Sequence, residues 1–187
     1  AFFLCSSLKS ITFPSSTKSI GIQAFMWCES LESIKATGNL IDISYSAFDE
    51  TAWLNNQPEG VVYVGEIAYM YKGEMPEGTF IRLKEGTKGI AQEAFLGYKE
   101  LTSIYIPRSV EYIGWRAISQ CKNLTDVFCN AQNVPQTNPI PYASQGIFYG
   151  SQSKAILHVP KLAIEDYNSN DLWKGFIEIV EMDATIN

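Results

Sequence analysis

The chain repeats itself every 23 residues. Ile20-Gly21, Ala24-Phe25, Cys28, Leu31 and Ile34 recur as Ile113-Gly114, Ala117-Ile118, Cys121, Leu124 and Val127, and Ile90, Ala94-Phe95, Leu101, Ile104 and Ile106-Pro107 hold the same frame between them. The same step separates Ile20 from Ile43, Ile90 from Ile113, Cys5 from Cys28 and Leu8 from Leu31. A period of this length marks a solenoid, in which each unit buries its apolar side only against its neighbours. Such an array grows by adding coils and needs no second core, so residues 1–187 read as one domain.

Within a unit, Leu101-Thr102-Ser103-Ile104-Tyr105-Ile106-Pro107 alternates inward Ile104 and Ile106 with outward Tyr105, the period of a short strand, and Pro107 ends it. Val110 and Ile113-Gly114 turn inward again, and residues 115–120 are predicted to form a short helical or 3₁₀ segment with Ala117 and Ile118 packed beneath. The fold class that follows is α/β, with one parallel strand and one short helical segment per coil. Coils are expected at residues 1–19, 20–42, 43–89, 90–112 and 113–141, followed by a strand and cap over 142–187.

The third unit is too long. From Ile43 to Ile90 the chain takes two periods and one residue more, and the surplus carries Val61-Val62-Tyr63-Val64, then Gly65-Glu66, then Ile67-Ala68-Tyr69-Met70-Tyr71. Two β-rich runs around a Gly-X pair predict a hairpin with a type II′ turn over 61–71, folded over an edge of the solenoid or projecting from it. A Pro-rich loop follows at Val134 to Pro141, and Ile156-Leu157-His158-Val159-Pro160 restores a strand. Leu162 to Tyr167 has helical spacing, and with Trp173, Phe176 and a closing strand at 177–181 it suits a cap.

The unit Ile20-Gly21-Ile22-Gln23-Ala24-Phe25-Met26-Trp27-Cys28-Glu29-Ser30-Leu31-Glu32-Ser33-Ile34 resembles the BspA-like leucine-rich repeat of bacterial cell-surface proteins. Residues 53–63 resemble the family's interrupted repeat, and Leu157 to Pro160 through Trp173-Lys174-Gly175-Phe176 resemble its C-terminal ending. Tyr98 and Thr51 stand where the family has Cys, Ile118 where it has Phe, and Ala36-Thr37 where it has the strand-end Ile-Pro. The resemblance implies a right-handed solenoid in a secreted or surface-displayed interaction protein, with adhesion as the associated role. No particular ligand comes with it.

Charge and composition narrow the partners. A net charge of −6 and a pI near 4.8, without a Lys/Arg cluster, argue against a nucleic-acid backbone or anionic lipid as ligand. No apolar run approaches the ~20 residues that span a bilayer, so membrane association is expected only through an anchor upstream of Ala1. Ala1-Phe2 already occupies the Ala24-Phe25 position, which leads us to expect further sequence before it. The expected state is an extracellular or cell-surface monomer whose ligand is a protein or glycoprotein, host-derived ones included.

Chemistry is scarce. Cys5, Cys28 and Cys121 share one repeat position with Tyr98 and Thr51, which points to packing, and Cys129 lies on an inward strand phase, so buried unreactive thiols are expected. His158 is the lone histidine, and nothing in the sequence sets a Ser, Cys or carboxylate beside it. Gly60 and Gly65 have P-loop spacing without the Lys-Ser/Thr. The carboxylates form no calcium-loop pattern. We therefore expect no enzyme, catalytic residue, metal or cofactor.

Superposing the coils at the outward strand position yields Thr12, Lys35, Arg82, Tyr105, Phe128 and His158. The last four are expected on successive rungs ~4.8 Å apart, as a stripe ~15 Å long. Arg and aromatic residues are frequent binding hot spots, so Lys35, Arg82, Tyr105, Phe128 and His158 are the candidate ligand-binding residues. Recognition of a protein leads. Glycan binding by the same aromatics and a spacer that displays another domain are the alternatives.

Overall fold

The computed structural model describes residues 2–36, 38–137 and 146–183. Ala1, Thr37 and the Pro-rich stretch from Asn138 to Pro141 lie outside the described residues.

In chain order the elements are β1 (Ser10–Phe13), β2 (Ser19–Ile20), β3 (Ser33–Ala36), β4 (Asp42–Ile43), α1 (Ala52–Asn55), β5 (Gly60–Val64), β6 (Ile67–Lys72), β7 (Thr79–Arg82) and β8 (Gly89–Ile90). There follow β9 (Leu101–Ile106), β10 (Tyr112–Ile113), β11 (Asp126–Cys129), β12 (Ile156–Val159), α2 (Ile164–Ser169) and β13 (Glu178–Glu181). Each coil has three sides. The first carries the longer strands, with β1 on β3, and β7, β9, β11, β12 and β13 side by side and parallel. The register stacks Ile81, Ile104, Val127, Leu157 and Ile179, which turns the repeat period into one apolar column inside the sheet.

The second side is built from two-residue strands, β2 on β4 and β8 on β10, whose Ile20, Ile43, Ile90 and Ile113 all point into the core. At two points here the coils approach so closely that a side chain is excluded. A Cβ on Gly114 would lie 2.5 Å from Gln92 N and 2.8 Å from Ala91 C, and one on Gly89 would lie 2.7 Å from Ile41 O.

The third side differs from the expected helical segment. Residues 22–27, 45–50, 92–97 and 115–120 run as consecutive turns, with N–H groups bonding three residues back, as Ala24 does to Gly21, Ala94 to Ala91 and Ala117 to Gly114. Left-handed residues recur four apart, at Gln23 and Trp27, Ser46 and Glu50, Glu93 and Gly97, and Arg116 and Gln120. A left-handed residue interrupts the α-helical ladder and is costly for a residue with a Cβ. It is compensated by bonds between coils: Phe25 N to Ala47 O, Trp27 N to Asp49 O, Phe95 N to Ala117 O and Gly97 N to Ser119 O. The local spacing of apolar residues is the same for a helix and for these turns, and the neighbouring coil makes the choice.

The inserted hairpin neither caps an edge nor projects. Its strands β5 and β6 pair antiparallel as expected, and Gly65 takes the positive φ of 60° that a II′ turn requires. Yet β6 also pairs parallel with β8, Tyr71 N donates to Ala94 O as Phe25 N does to Ala47 O, and Val62 and Val64 are buried in the core. The surplus is therefore a coil of its own. Residues 43–89 hold two turns of the solenoid, the second beginning at β6.

Inside the turns, the Phe positions form an aromatic column. Phe2 stacks on Phe25 at 5.1 Å, Phe25 on Phe48 at 5.4 Å, and Phe48 meets Tyr69 edge-on at 5.5 Å. The expected cap is present: α2 brings Tyr167 against Trp173 at 4.9 Å, Trp173 covers Phe148 at 5.0 Å, and β13 closes the sheet.

The repeated Cys position also has a physical account. Cys28 donates its S–H to Phe2 O at 2.9 Å and Cys121 to Phe95 O at 3.0 Å, while Tyr98 reaches Tyr71 O at 3.0 Å. Each side chain satisfies a carbonyl of the preceding coil. Burial pushes the Cys121 thiol up to about 12 and the Cys129 thiol up to about 11. All four cysteines are free, and Cys5 departs from the buried expectation: it is exposed on the first described coil.

Candidate functional site

On β7, β9, β11 and β12 the parallel register sets Arg82 beside Tyr105, Tyr105 beside Phe128, and Phe128 beside His158. Lys35 pairs with Thr12 in the separate β1 and β3 sheet. Between them, Tyr63 is the outward residue of β5, its hydroxyl accepting from Lys84 N at 3.1 Å while Lys84 Nζ lies 4.4 Å over its ring.

The side chains of the stripe lock onto one another. The Arg82 guanidinium lies 4.1 Å above the Tyr105 ring, and the Tyr105 hydroxyl accepts from Asn130 Nδ2 at 3.1 Å. Tyr105 is consequently only 2% exposed, so it supports the surface without presenting a ring face. Phe128 stacks on the His158 imidazole at 4.3 Å, and His158 Nε2 is 2.8 Å from Asp126 Oδ1. Lys35 and Arg82 are exposed, and Phe128 and His158 are half-buried.

Two residues of this surface escape a reading confined to one outward position per strand. Phe80 and Asp126 each lie two residues before a stripe member, on the same strand face. Phe80 is 48% exposed, its ring 5.7 Å from the Arg82 guanidinium and 6.1 Å from Phe128 in an edge-on arrangement. Asp126 holds His158. Superposing the preceding outward position as well would have found both, as Phe80, Ser103, Asp126 and Ile156.

The result is a flat patch with a cation at one end, an open aromatic edge in the middle and a His/Asp pair at the other. Among the described residues, the side chains bonded to or stacked on His158 are Asp126 and Phe128, and neither is a Ser, Thr or Cys nucleophile. Among the described residues no three His, Cys, Asp or Glu side chains group as a metal site, and no helix is long and apolar enough to cross a membrane.

The comparison with known families agrees with the coil geometry. The BspA type leucine rich repeat region matches in six copies, over residues 1–125 and 65–166. The chain belongs to this family. The recurring Ile-Gly, Ala-Phe and Cys positions of this BspA-type chain are the second side, the turn ladder and the carbonyl-satisfying column described above. No curated protein sequence matches the chain. Two solved structures are similar to this BspA-type chain. A leucine rich cell surface protein from Faecalibacterium prausnitzii A2-165 aligns at 15% identity and a TM-score of 0.39, covering 98% of this chain and 62% of that one. The pneumococcal vaccine antigen PcpA aligns at 13% and 0.30, covering 94% of this chain and 68% of that one. The chain therefore spans less than two thirds of the first of these proteins.

Proposed function

We propose that this chain is a non-enzymatic recognition module of an extracellular or cell-surface protein, and that it binds a protein or glycoprotein partner through the strand face. The observation that carries this reading is Phe80, a large ring 48% exposed on a rigid sheet and flanked by Arg82 and Phe128. Aromatic and arginine anchors held rigid before binding lose little entropy on association, which is the usual composition of a hot spot. Membership of a repeat family that works by display rather than chemistry, and the similarity to a cell surface protein, support the location and the lack of catalysis. Glycan binding by this same stripe has less support, because stacking on sugar needs open ring faces: Tyr105 lies beneath Arg82, and Phe128 lies against His158.

The test is a pull-down from host secretions and cell-surface extracts, with wild type beside a Phe80→Ala, Phe128→Ala variant of equal thermal stability. Loss of a specific partner by tenfold or more in the variant is expected. A partner retained equally by both proteins would remove the strand face from the reading.

A further inference from the structure

Past the C-terminal ends of β9, β11 and β12 the coils leave a groove of about 790 Å³. This is within the range of small-ligand clefts. It adjoins the strand-face stripe at Asn130, which lines it and donates to the Tyr105 hydroxyl, and its other walls come mainly from the segments after β9 and β11, with Ile41 before β4 and Pro160 after β12. We propose that this groove is a second binding site, for a neutral oligosaccharide.

Three features of the walls lead there. The rim is rich in amide side chains: Gln132, Asn133 and Gln136 are all exposed and line the space, with Arg108 beside them. A side-chain amide offers a donor pair and an acceptor in one plane, which matches neighbouring sugar hydroxyls that both give and accept. Charge in the groove is balanced. The lining carries one cation and one anion, Arg108 and Glu111, and Glu111 is held by Lys88 at 2.9 Å, so no single charge dominates and an uncharged ligand is accommodated. Among the amides, half-buried Val134 and Pro160 supply apolar surface for the C–H face of a sugar ring.

An extended peptide fits less well. Adding a strand needs free backbone N–H and C=O groups along an edge. Here Ile113 N donates to Gln136 O, Gln136 N to Glu111 O and Asn130 N to Ile106 O. These backbone groups of the walls are already engaged, so recognition falls mainly to the side-chain amides.

The experiment uses the whole chain on a microarray of mammalian N- and O-glycans and of plant and microbial polysaccharide fragments, followed by calorimetry with the best-retained oligosaccharide. Three proteins are compared: wild type, Gln132→Ala with Asn133→Ala, and the Phe80→Ala, Phe128→Ala variant. Both groove substitutions are exposed, and an unchanged melting curve verifies folding. The expected result is glycan binding that falls at least tenfold in the groove variant and persists in the strand-face variant. No glycan retained by wild type, binding that the groove variant keeps, or binding lost only in the strand-face variant would each overturn the proposal. The last outcome would place sugar recognition on the stripe. The pull-down that tests the strand face reads a different surface, so either reading can fail alone.

Discussion

Gly21 and Gly114 occupy the same place in the repeat, after Ile20 and Ile113, yet their surroundings predict opposite responses to alanine. Neither has a left-handed φ, so both backbones accept a Cβ without conformational strain. At Gly21 nothing lies within 4 Å of the added atom. Alanine there only reduces the freedom of the unfolded chain, an effect of about 0.4–1 kcal/mol in favour of folding. At Gly114 the new Cβ would meet Gln92 N at 2.5 Å, Ala91 C at 2.8 Å and Gln92 Cα at 2.8 Å, where ordinary contact begins at 3.4 Å. All three atoms belong to the backbone of the preceding coil and cannot swing aside. The coil must move, and Gly114 N donates to Ile90 O at 2.8 Å, so the ladder between the two coils stretches with it. Overpacking of this kind costs about 1–3 kcal/mol. At ~2–4 °C per kcal/mol for a chain of this size, Gly114→Ala should lower the melting midpoint by about 2–12 °C, while Gly21→Ala leaves it unchanged or raises it slightly. Differential scanning calorimetry of the two variants checks this. Equal shifts, or a larger loss at Gly21, would refute the account of the Ile-Gly motif as a close approach between coils.

Besides the strand-face pull-down and the glycan microarray, three expectations concern the cysteines and the cap. Native protein treated with a thiol reagent at pH 8 should modify Cys5 alone, because Cys28, Cys121 and Cys129 are buried and burial raises all three thiols; mass spectrometry after brief labelling finds a second modified site if this is wrong. Cys121 also makes stability depend on alkali: burial holds its thiol at about 12, above the ordinary thiol value of 9.0, so the contribution of the neutral thiol is full below about pH 9 and is lost as pH rises toward 12. Urea titrations between pH 8 and 11 should show a Cys121→Ala variant less sensitive to that rise than wild type. Tyr167→Phe removes a hydroxyl that donates to Ala131 O at 3.0 Å and sits 3.2 Å from Cys129 Sγ in the cap. The loss should be about 1–2 kcal/mol by urea denaturation, and no measurable loss would show that the cap does not depend on this bond.

Much of this architecture follows from the order of residues alone. A period of 23 with Ile, Phe and Leu at fixed phases can bury its apolar side only by stacking copies, and that requirement sets the coils, the parallel strands and the neighbour relation of Arg82, Tyr105, Phe128 and His158. The cap was legible for the same reason, since Tyr167, Trp173 and Phe176 are too large and apolar to stay outside. What the pattern leaves open is every choice that depends on an adjacent coil. Residues 115–120 have one apolar spacing for helix and turn alike, and the N–H bonds to the next coil select the turn. The surplus after Ile43 reads as a hairpin because its turn is local, whereas its membership of the wall depends on β8, some 20 residues further on. Tyr105 alternates outward like its neighbours, but its burial is the work of Arg82 from the strand alongside and Asn130 from the segment after β11. Asp126 reaches His158 only across a strand pair, and the groove after β9 and β11 exists only between coils. Periodicity records which residues face inward; distances across coils record what the outward ones touch.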